Sequence, residues 1–258
     1  MVSRKKLVPR NRQYRLIILS GPSCVGKSPL KHALARMFPE LCKRLKPLVL
    51  YDDRLPRPGE KDGVDYHFRA REFIQGLKRK KDFIVMEVRG DLMAVDIAGL
   101  KQDLAQTDVF YEGNPLVGTK LLLNSALKHI PKLSVFLSPL SAEEITFFQS
   151  LGDQVKLKSL VTEMMRRKLL RRTRHQRGEI SSADLDNIET RAHSAYQELC
   201  LAWRFEHILV NHDGEDSDHW QAFYYPVGEA RRAVTGFADI LQGKSPQMAE
   251  HWDKELLG

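Results

Sequence analysis

The sequence is poor in cysteine, and this scarcity sets the first limits on the class of protein. Its 258 residues include only three cysteines, and these form neither a CxxC pair nor a metal-site spacing. An odd, sparse set argues against a disulfide framework and favours a reducing compartment. The three residues are Cys24, Cys42 and Cys200.

Long apolar runs are also missing. No stretch reaches the roughly 18 consecutive apolar residues that a membrane-spanning helix needs. The N-terminus is basic, but it lacks the apolar segment of a signal peptide and leads directly into a strand-like stretch at 14–20. We therefore expect a cytoplasmic protein without a membrane partner.

Acidic residues are absent from two segments, and this absence accounts for the net charge of +8. Residues 1–15 hold six cations and no acid, and residues 166–177 hold seven cations and no acid. Without these segments, 33 acidic residues outnumber the 28 remaining cations. Local phosphate sites explain this distribution better than a general polyanion-binding surface, so we do not expect nucleic acid as the main partner, although contact between the tail and RNA stays open.

Short apolar runs alternate with helical patterns along the chain. Such alternation is typical of an α/β fold with a largely parallel sheet. We predict strands at 16–19, 48–51, 83–88, 109–111, 133–137 and 207–210. We predict helices at 31–38, 73–77, 97–106, 116–129, 141–150, 183–204, 227–241 and 248–257.

The stretch 20-SGPSCVGKSPL-30 contains the pattern G-x-x-x-x-G-K-[ST] between an apolar run and a helical pattern. Glycines let the backbone curl so that its N–H groups point at phosphate oxygens, and the following helix directs its positive end there. The lysine of such a loop reaches the β- and γ-phosphates, and the hydroxyl binds Mg²⁺. We therefore predict ATP-binding residues at Gly21, Ser23, Cys24, Val25, Gly26, Lys27 and Ser28.

Residues 54–68, RLPRPGEKDGVDYHF, closely resemble the guanylate kinase motif R-x-P-R-x-G-E-x-x-G-x-D-Y-x-F. The stretch 174-RHQRG-178 with Arg191 resembles the family's arginine-bearing lid, and 208-ILVNHD-213 resembles its late strand. The resemblance implies an α/β P-loop kinase fold: a mostly parallel sheet flanked by helices, a small acceptor-binding subdomain and a helical lid.

The resemblance also implies an organisation of the chain. We expect a basic N-terminal tail at 1–13, a guanylate kinase-like domain at 14–213 and a C-terminal helical extension at 214–258. The acceptor-binding region would span about 52–96 and the lid about 156–180. The aromatic stretch 220-WQAFYYPV-227 would pack on the domain or cover a partner.

The resemblance assigns roles to single residues. Guanidinium forks suit bidentate phosphate binding, and phosphoryl transfer needs positioning and charge neutralisation more than covalent chemistry. Catalytic roles are implied for Lys27, Arg54, Arg177 and Arg191, acceptor-phosphate binding for Arg54, Arg57 and Tyr66, and a place near the donor base for Asn211. The alternatives are a solvated proline-rich loop at 54–68 and a solvated basic helix face at 166–177.

The base-reading positions depart from the family pattern. Leu50, Ile84 and Val95 stand where the family has Ser, Glu and Thr or Ser, and Met93 replaces a phosphate-binding Tyr. Because an unpaired base edge is costly to bury, we expect a rebuilt base site. Glu87 and Glu112 are the candidate replacement carboxylates.

Two aspartates, Asp52 and Asp53, replace the two threonines that precede the first arginine of the family motif. Carboxylates suit Mg²⁺, so Asp53 joins Ser28 as a candidate metal ligand. A second reading makes both aspartates contacts for a sugar hydroxyl. A third makes them ion-pair partners of the neighbouring arginines.

These observations predict an ATP-dependent phosphotransferase that uses Mg²⁺ and acts on a nucleoside monophosphate, with GMP as the first candidate. One alternative is a kinase for a different phosphorylated small molecule. A second is a non-catalytic guanylate kinase-like module that binds a partner through the acceptor arginines. A third is an ATPase linked to nucleic acid, which leaves residues 54–68 without a role.

Overall fold

The computed structural model describes residues 13–57 and 59–257, so Pro58 and residues 1–12 of the predicted basic tail lie outside the described residues. Strands and helices alternate along most of this length. The strands are β1 (Leu16–Ser20), β2 (Leu45–Pro47), β3 (Leu50–Asp52), β4 (Tyr66–Phe68), β5 (Phe83–Val88), β6 (Asp91–Asp96), β7 (Asp108–Gly113), β8 (Lys132–Ser138), β9 (His207–Val210) and β10 (Ala249–Glu250).

The helices flank these strands and form the lid. They are α1 (Lys27–Met37), α2 (Pro39–Cys42), α3 (Arg71–Leu77), α4 (Ile97–Leu104), α5 (Pro115–Leu123), α6 (Ala142–Ser150), α7 (Leu157–Arg177), α8 (Ser182–Leu199) and α9 (Gly228–Leu241). Single 3-10 turns lie at Ser125–Leu127, Gly152–Gln154, Ala202–Arg204, Asp218–Trp220 and Lys254–Leu257.

The main sheet has six strands in the order β10–β9–β8–β1–β7–β2, and all of them are parallel except β10. Strand β1 lies between β7 and β8, and its apolar residues are completely buried. Ser20, the last residue of β1, pairs with Gly113 at the end of β7. The carboxyl ends of these two strands therefore meet at one edge, where open α/β sheets bind their ligands. The predicted α/β fold with a largely parallel sheet is confirmed.

A smaller sheet has the strand order β4–β3–β6–β5. Its four strands and helix α3 all lie between residues 50 and 96. Strand β6 was not predicted, and it pairs antiparallel with both β3 and β5. Of the strand predicted at 48–51, only residues 50 and 51 belong to a strand, β3, which pairs with β4 and β6. The preceding strand β2 was not predicted, and it pairs with β7. The chain thus crosses from the main sheet to the smaller sheet between Pro47 and Leu50.

Helices α7 and α8 pack against each other, and α7 covers most of the stretch predicted as the lid, at about 156–180. Arg166 on α7 donates two hydrogen bonds to the carboxylate of Glu189 on α8, at 2.6 and 2.9 Å. A capping box of Ser181 and Asp184 begins α8 by satisfying backbone N–H groups at its first turn. These contacts join the two helices to each other and fix the start of α8.

Residues 214–257 contribute to the main layer of the fold. Helix α9 packs on α1 and buries one apolar face, and Phe237 of this face lies 6.1 Å from the ring of Phe110 in β7. The helix predicted at 248–257 is wrong at its start, because Ala249 and Glu250 pair with β9 as β10. Of the aromatic stretch, Trp220 is buried, whereas Phe223 remains 70% exposed.

The three cysteines are all free thiols. Among residues 13–57 and 59–257, no helix has the length and apolar character needed to cross a membrane.

Candidate active site

A cavity of about 390 Å³ opens at the carboxyl ends of β1 and β7. Four parts of the chain form its walls: the turn after β1, the end of β7, the smaller sheet with residues 54–66, and the lid. The residues that carry charge or a hydroxyl in these walls are Ser23, Lys27, Ser28, Lys31, Asp52, Arg54, Arg57, Glu60, Asp65, Tyr66, Arg89, Asp91, Tyr111, Glu112, Arg172, Thr190, Arg191 and Glu215.

The phosphate loop, residues 20–28, joins β1 to the first turn of α1. Gly26 has a φ of +105°, and a Cβ atom there would lie 2.5 Å from Nδ2 of Asn211 and 2.9 Å from Trp220. Cys24 also has a positive φ, of 65°. The loop therefore has the tight backbone turn that phosphate binding requires. Its second glycine, Gly26, leaves room for the side chains of Asn211 and Trp220 to pack against the loop.

Lys27 lies at the beginning of α1 and lines the cavity. Its Nζ donates hydrogen bonds to the carbonyl oxygens of Gly21 and Pro22, at 2.9 and 2.7 Å. Burial lowers the pKa of this ammonium group, and the nearby carboxylates of Glu215 and Glu112 counteract the shift. The lysine is thus held inside the loop as a desolvated cation, where its charge acts strongly on a bound phosphate.

Ser28 and Glu112 meet at the floor of the cavity. Ser28 Oγ donates a 2.9 Å hydrogen bond to Glu112 Oε1, and Lys31 Nζ lies 3.1 Å from Glu112 Oε2. One hydroxyl and one carboxylate beside a phosphate loop fit Mg²⁺, which usually binds few protein oxygens and keeps waters and substrate phosphates as its other ligands.

Arg54 lies in the wall of the cavity formed by the predicted acceptor-binding region, which is the predicted acceptor side. Its Nη1 and Nη2 donate to the Glu60 carboxylate at 2.7 and 2.8 Å, and its Nε lies 3.3 Å from Asp52 Oδ2. Its guanidinium carbon stands 5.0 Å from the centre of the Tyr66 ring. Two carboxylates, the Leu55 carbonyl oxygen and the rings of Tyr66 and Phe68 therefore hold this arginine, so it can offer an anion only part of its hydrogen-bonding capacity.

Arg57 and Arg191 face the same cavity without such partners. Neither guanidinium makes a hydrogen bond or ion pair with another residue in the described part of the chain. Burial, followed by the charges of Arg57 and Arg172, lowers the pKa of Arg191 to about 9. Burial and the charge of Arg54 lower the pKa of Arg57. A dianionic phosphate would relieve this repulsion, so the two arginines are the readiest anion ligands of the site.

Asp52 and Asp91 bring negative charge to the acceptor side. Asp52 has a side chain only 3% exposed, and burial raises its pKa to about 6 although Arg54 opposes the shift. Burial and the charge of Asp53 raise the pKa of Asp91. This part of the cavity offers carboxyl groups that accept hydrogen bonds from hydroxyl or amino groups of an acceptor.

The residues at the family's guanine-reading positions do not line the cavity. Leu50 is 2% exposed and Val95 is completely buried, and Ile84 packs against the same core. Met93 lines the cavity, where its side chain presents only apolar atoms and a thioether. Of the four positions only Met93 therefore faces the cavity, and a rebuilt base site stays a prediction.

Several predicted site residues lie outside the cavity. Glu87 is 64% exposed and faces away from it on β5, so the acceptor-binding role predicted for Glu87 is corrected. Asp53 accepts hydrogen bonds from Arg71 Nη1 and the Leu92 backbone, which favours the ion-pair reading over the metal-ligand reading. Arg177 forms an exposed ion pair with Asp184.

Two predicted ATP-binding residues support the phosphate loop from behind. Asn211 is completely buried, and its Nδ2 donates a 2.7 Å hydrogen bond to the carbonyl oxygen of Val25. Val25 is itself buried and does not line the cavity. Asn211 therefore contacts the loop backbone and does not line the cavity.

Several polar or charged cavity residues were not predicted from the sequence, among them Arg89, Asn114, Arg172 and Glu215. Arg89 Nε and Asn114 Nδ2 both donate to Glu198 Oε1 of α8, at 2.7 and 2.9 Å. Arg172 belongs to the basic segment at 166–177, where the sequence does not show which of seven cations faces inward. No local pattern marks Glu215, because only the folded chain brings it to the loop.

Comparison with known proteins indicates the same family as the sequence motifs. The family model described as guanylate kinase matches residues 13–103. A guanylate kinase from Synechococcus sp. (strain JA-3-3Ab) is 30% identical over 215 residues, which are 82% of this chain and 82% of that protein. A guanylate kinase from Alkalilimnicola ehrlichii is 30% identical over 94% of this chain and 98% of that protein.

A solved structure agrees at the level of the fold. The crystal structure of guanylate kinase from Anaplasma phagocytophilum matches with a TM-score of 0.54 and 18% identity, over 96% of this chain and 95% of that one. Relatives of this identity and coverage, together with the family model, establish the family. The chain belongs to the guanylate kinase family, which is a family of phosphotransferase enzymes.

Proposed function

We propose that this protein is an ATP-dependent nucleoside monophosphate kinase that uses Mg²⁺. The observation that carries the proposal is the shared cavity, in which the phosphate loop with Lys27 faces the acceptor arginines Arg54 and Arg57. An ATP γ-phosphoryl group and an acceptor phosphate can approach each other only where two such phosphate sites share one space.

The reaction is an in-line transfer. An oxygen of the acceptor phosphate forms a bond with the γ-phosphorus of ATP, the bond from that phosphorus to the β–γ bridging oxygen breaks, and ADP leaves with the electron pair. The acceptor oxygen is already ionised at neutral pH, so no protein base is required. Catalysis then depends on positioning and on charge neutralisation by Lys27, Arg191 and their neighbours.

Mg²⁺ would be held at Ser28 and Glu112, whose 2.9 Å hydrogen bond places a hydroxyl and a carboxylate beside the loop. When bound, the ion would neutralise charge on the β- and γ-phosphates. Lys31 lies 3.1 Å from the second oxygen of Glu112 and keeps that carboxylate turned towards the loop. Asp53 has no part in this site, because Arg71 and the backbone of Leu92 already occupy its carboxylate.

GMP is the first acceptor to test, because the relatives that match most of this chain are named guanylate kinases. The phosphate half of the acceptor site supports a nucleoside monophosphate, since Arg54, Arg57 and Tyr66 all line the cavity. The base of a bound monophosphate would not meet the family's guanine-reading side chains. It would instead contact a surface of Met93, Val88, Asp52 and Asp91.

A second candidate is a kinase for another phosphorylated small molecule. Burial of Leu50 and Val95 in the core favours it, because neither can offer a hydrogen bond to guanine. Asp52 and Asp91 would then bind hydroxyl groups of the acceptor. A non-catalytic binding module is the third candidate, and it would show no ATP turnover with any small acceptor.

A coupled ADP-release assay with ATP, Mg²⁺ and a panel of acceptors tests the proposal. The panel holds GMP, dGMP, AMP, UMP, CMP, dTMP and sugar phosphates. Turnover with GMP establishes the first candidate, and turnover with another nucleoside monophosphate keeps the activity class but changes the acceptor. Turnover with sugar phosphates alone establishes the second candidate. ATP binding without turnover on any acceptor overturns the proposal in favour of the binding module.

A further inference from the structure

The lid arginine that the family motif indicates does not reach the cavity. Arg177 is the last residue of α7, and its Nη1 donates to Oδ1 of Asp184 in the first turn of α8. The side chain of Arg177 is 45% exposed and does not line the cavity. Of the two predicted lid arginines, only Arg191 faces the phosphate loop in this structure.

Arg172 stands on the same helix and does line the cavity. Its side chain is 16% exposed, and its Nη1 donates a 3.0 Å hydrogen bond to Glu215 Oε2. Its Nε is buried and has no hydrogen-bond partner among the described residues. A buried guanidinium N–H without a partner is unfavourable, and an anion bound in the cavity would satisfy it.

The surroundings of Arg172 also indicate an anion. Arg57, Arg172 and Arg191 line the same cavity, and the charge of Arg172 contributes, after burial and other causes, to the lowered pKa of the other two. Arg57 belongs to the acceptor side, whereas Lys27 and the phosphate loop lie on the ATP side. Arg172 therefore faces the boundary at which the phosphoryl group is transferred.

Glu215 fixes the direction of Arg172. Its backbone N–H donates a 2.9 Å hydrogen bond to the carbonyl oxygen of Cys24, which attaches it to the phosphate loop. Gly214 precedes it with a φ of +61°, and a Cβ atom there would lie 2.8 Å from the same Cys24 oxygen. Glu215 lies just beyond residue 213, where the motifs that resemble the family end, so the motifs alone give it no role.

We propose that Arg172, held in place by Glu215, is the lid arginine that binds the phosphoryl group during transfer, in the role that the motif gives to Arg177. The proposal rests on the proposed function. Arg172 offers its free Nε–H and remaining N–H groups to the γ-phosphoryl oxygens, and Glu215 acts as a positioning residue through Arg172 alone.

Nucleotide affinities test Arg172 without requiring turnover. Dissociation constants for Mg·ATP and Mg·ADP are measured by calorimetry for the wild type and for R172Q, R172K and R177Q. We expect the wild type to prefer ATP, and R172Q to lose about tenfold or more of that preference, as expected for a charge-assisted contact with the γ-phosphate. R177Q, the matched change on the same helix, should keep it. R172K retains the charge and should keep part of the preference, which covers the case of a poorly folded R172Q.

Three results would overturn the assignment of Arg172: a wild type without preference for ATP, retention of the preference by R172Q, or an equal loss in R177Q. Absence of turnover on every acceptor would contradict the proposed function instead, and the nucleotide affinities would still be measurable. The two failures are therefore distinguishable.

Glu215 is tested by the split between rate and affinity. In E215Q we expect kcat to fall about tenfold with little loss of ATP affinity, because Arg172 keeps its charge in the cavity but loses its fixed direction. In the R172Q background, E215Q should cause no further loss of rate, since its effect passes through Arg172. D216N is the matched control, because Asp216 is the next carboxylate and faces Arg171. An equal loss in both backgrounds, or wild-type kcat in E215Q, would overturn the positioning role.

Discussion

Ser28 Oγ donates a 2.9 Å hydrogen bond to Glu112 Oε1 and so links the first turn of α1 to the end of β7. The parallel pairing of Ser20 with Gly113 makes this contact possible, because it brings the phosphate loop beside the end of the neighbouring strand. The Glu112 side chain is only 14% exposed. Its charge is therefore weakly screened by solvent, and it is the carboxylate through which we expect Mg²⁺ to act.

Replacement of Glu112 by Gln should impair the use of Mg²⁺. The substitution keeps the shape of the side chain but removes the charge that would attract the ion, so kcat should fall by roughly 100-fold or more, as for other losses of electrostatic stabilisation. The Mg²⁺ concentration for half-maximal rate should rise. Both quantities come from Mg²⁺ titrations of the ADP-release assay.

The matched control for this change is E72Q, because Glu72 is an exposed acid in the first turn of α3. It should leave the Mg²⁺ titration unchanged. An unaltered half-saturation concentration in E112Q would remove Glu112 from the proposed metal site.

Replacement of Arg57 by Ala should weaken acceptor binding and leave ATP binding nearly normal. Arg57 lines the acceptor side of the cavity and has no ion-pair partner in the described structure, so its guanidinium is available to the acceptor phosphate. Loss of one charged phosphate contact should raise the acceptor KM by roughly 10- to 100-fold. Steady-state kinetics give the KM, and calorimetry gives the ATP affinity.

Arg69 provides the control for Arg57. Arg69 directly follows β4, but its Nη1 already donates to Asp62 and its side chain does not line the cavity. R69A should therefore keep the acceptor KM of the wild type. Loss of ATP binding in R57A with an unchanged acceptor affinity would show that the loop at 54–68 has been assigned to the wrong substrate.

The placement of residues of the phosphate loop and of Arg54 and Arg57 at one cavity follows from patterns that each lie in a short, continuous stretch. The glycine spacing of residues 20–28 determines the loop backbone locally, and Arg54 and Arg57 belong to one motif. Arg172 could not be separated from Arg177 in this way. Both lie in a run of seven cations, and only the packing of α7 on its neighbours decides which of them faces the cavity.

Glu87 shows a second limit of the sequence. Met86 and Val88 are buried on β5 while Glu87 between them is exposed, as expected for side chains that alternate between the two faces of a strand. A shift of one residue in the pairing of β5 with β6 would reverse this pattern. Strand β6 was not predicted, so the register that turns Glu87 outward was not available from the sequence.

Trp220 should stabilise both the fold and the phosphate loop. It is 2% exposed, its Nε1 donates to the carbonyl oxygen of Gly214, and its ring lies against Gly26. W220A should lower the free energy of unfolding by about 3–5 kcal/mol, the usual cost of truncating a buried large aromatic side chain. It should also weaken ATP binding, because Gly26 loses its support. Urea unfolding and ATP calorimetry measure the two effects.

The change W203A separates the loop effect from a general loss of stability. Trp203 is only partly buried, and its ring packs beneath the guanidinium of Arg204, 4.2 Å from the ring centre. We expect a smaller loss of stability in W203A and no change in ATP affinity. Equal ATP affinity in W220A and the wild type, measured where both are folded, would show that residues 214–220 do not support the loop.

Asp52 should make the stability of the protein depend on pH in a recognisable direction. Burial raises its pKa from 3.8 to about 6. Between about pH 4 and pH 6 the folded protein keeps a proton at Asp52 that the unfolded chain has already released. Ionisation of Asp52 therefore lowers stability as the pH rises through this window. The wild type should lose up to about 3 kcal/mol relative to D52N between pH 4 and pH 7.

The measurement is urea unfolding of the wild type and D52N at several pH values between 4.5 and 7.5, because the difference between the two cancels most other titrations. Asp62 is the control of opposite sign: hydrogen bonds from the Phe68 backbone and Arg69 lower its pKa. Its contribution to stability is complete above about pH 4, so the difference between the wild type and D62N should stay constant over the window. A constant difference for D52N as well would mean that Asp52 is charged throughout, and that its contacts with Arg54 keep it ionised.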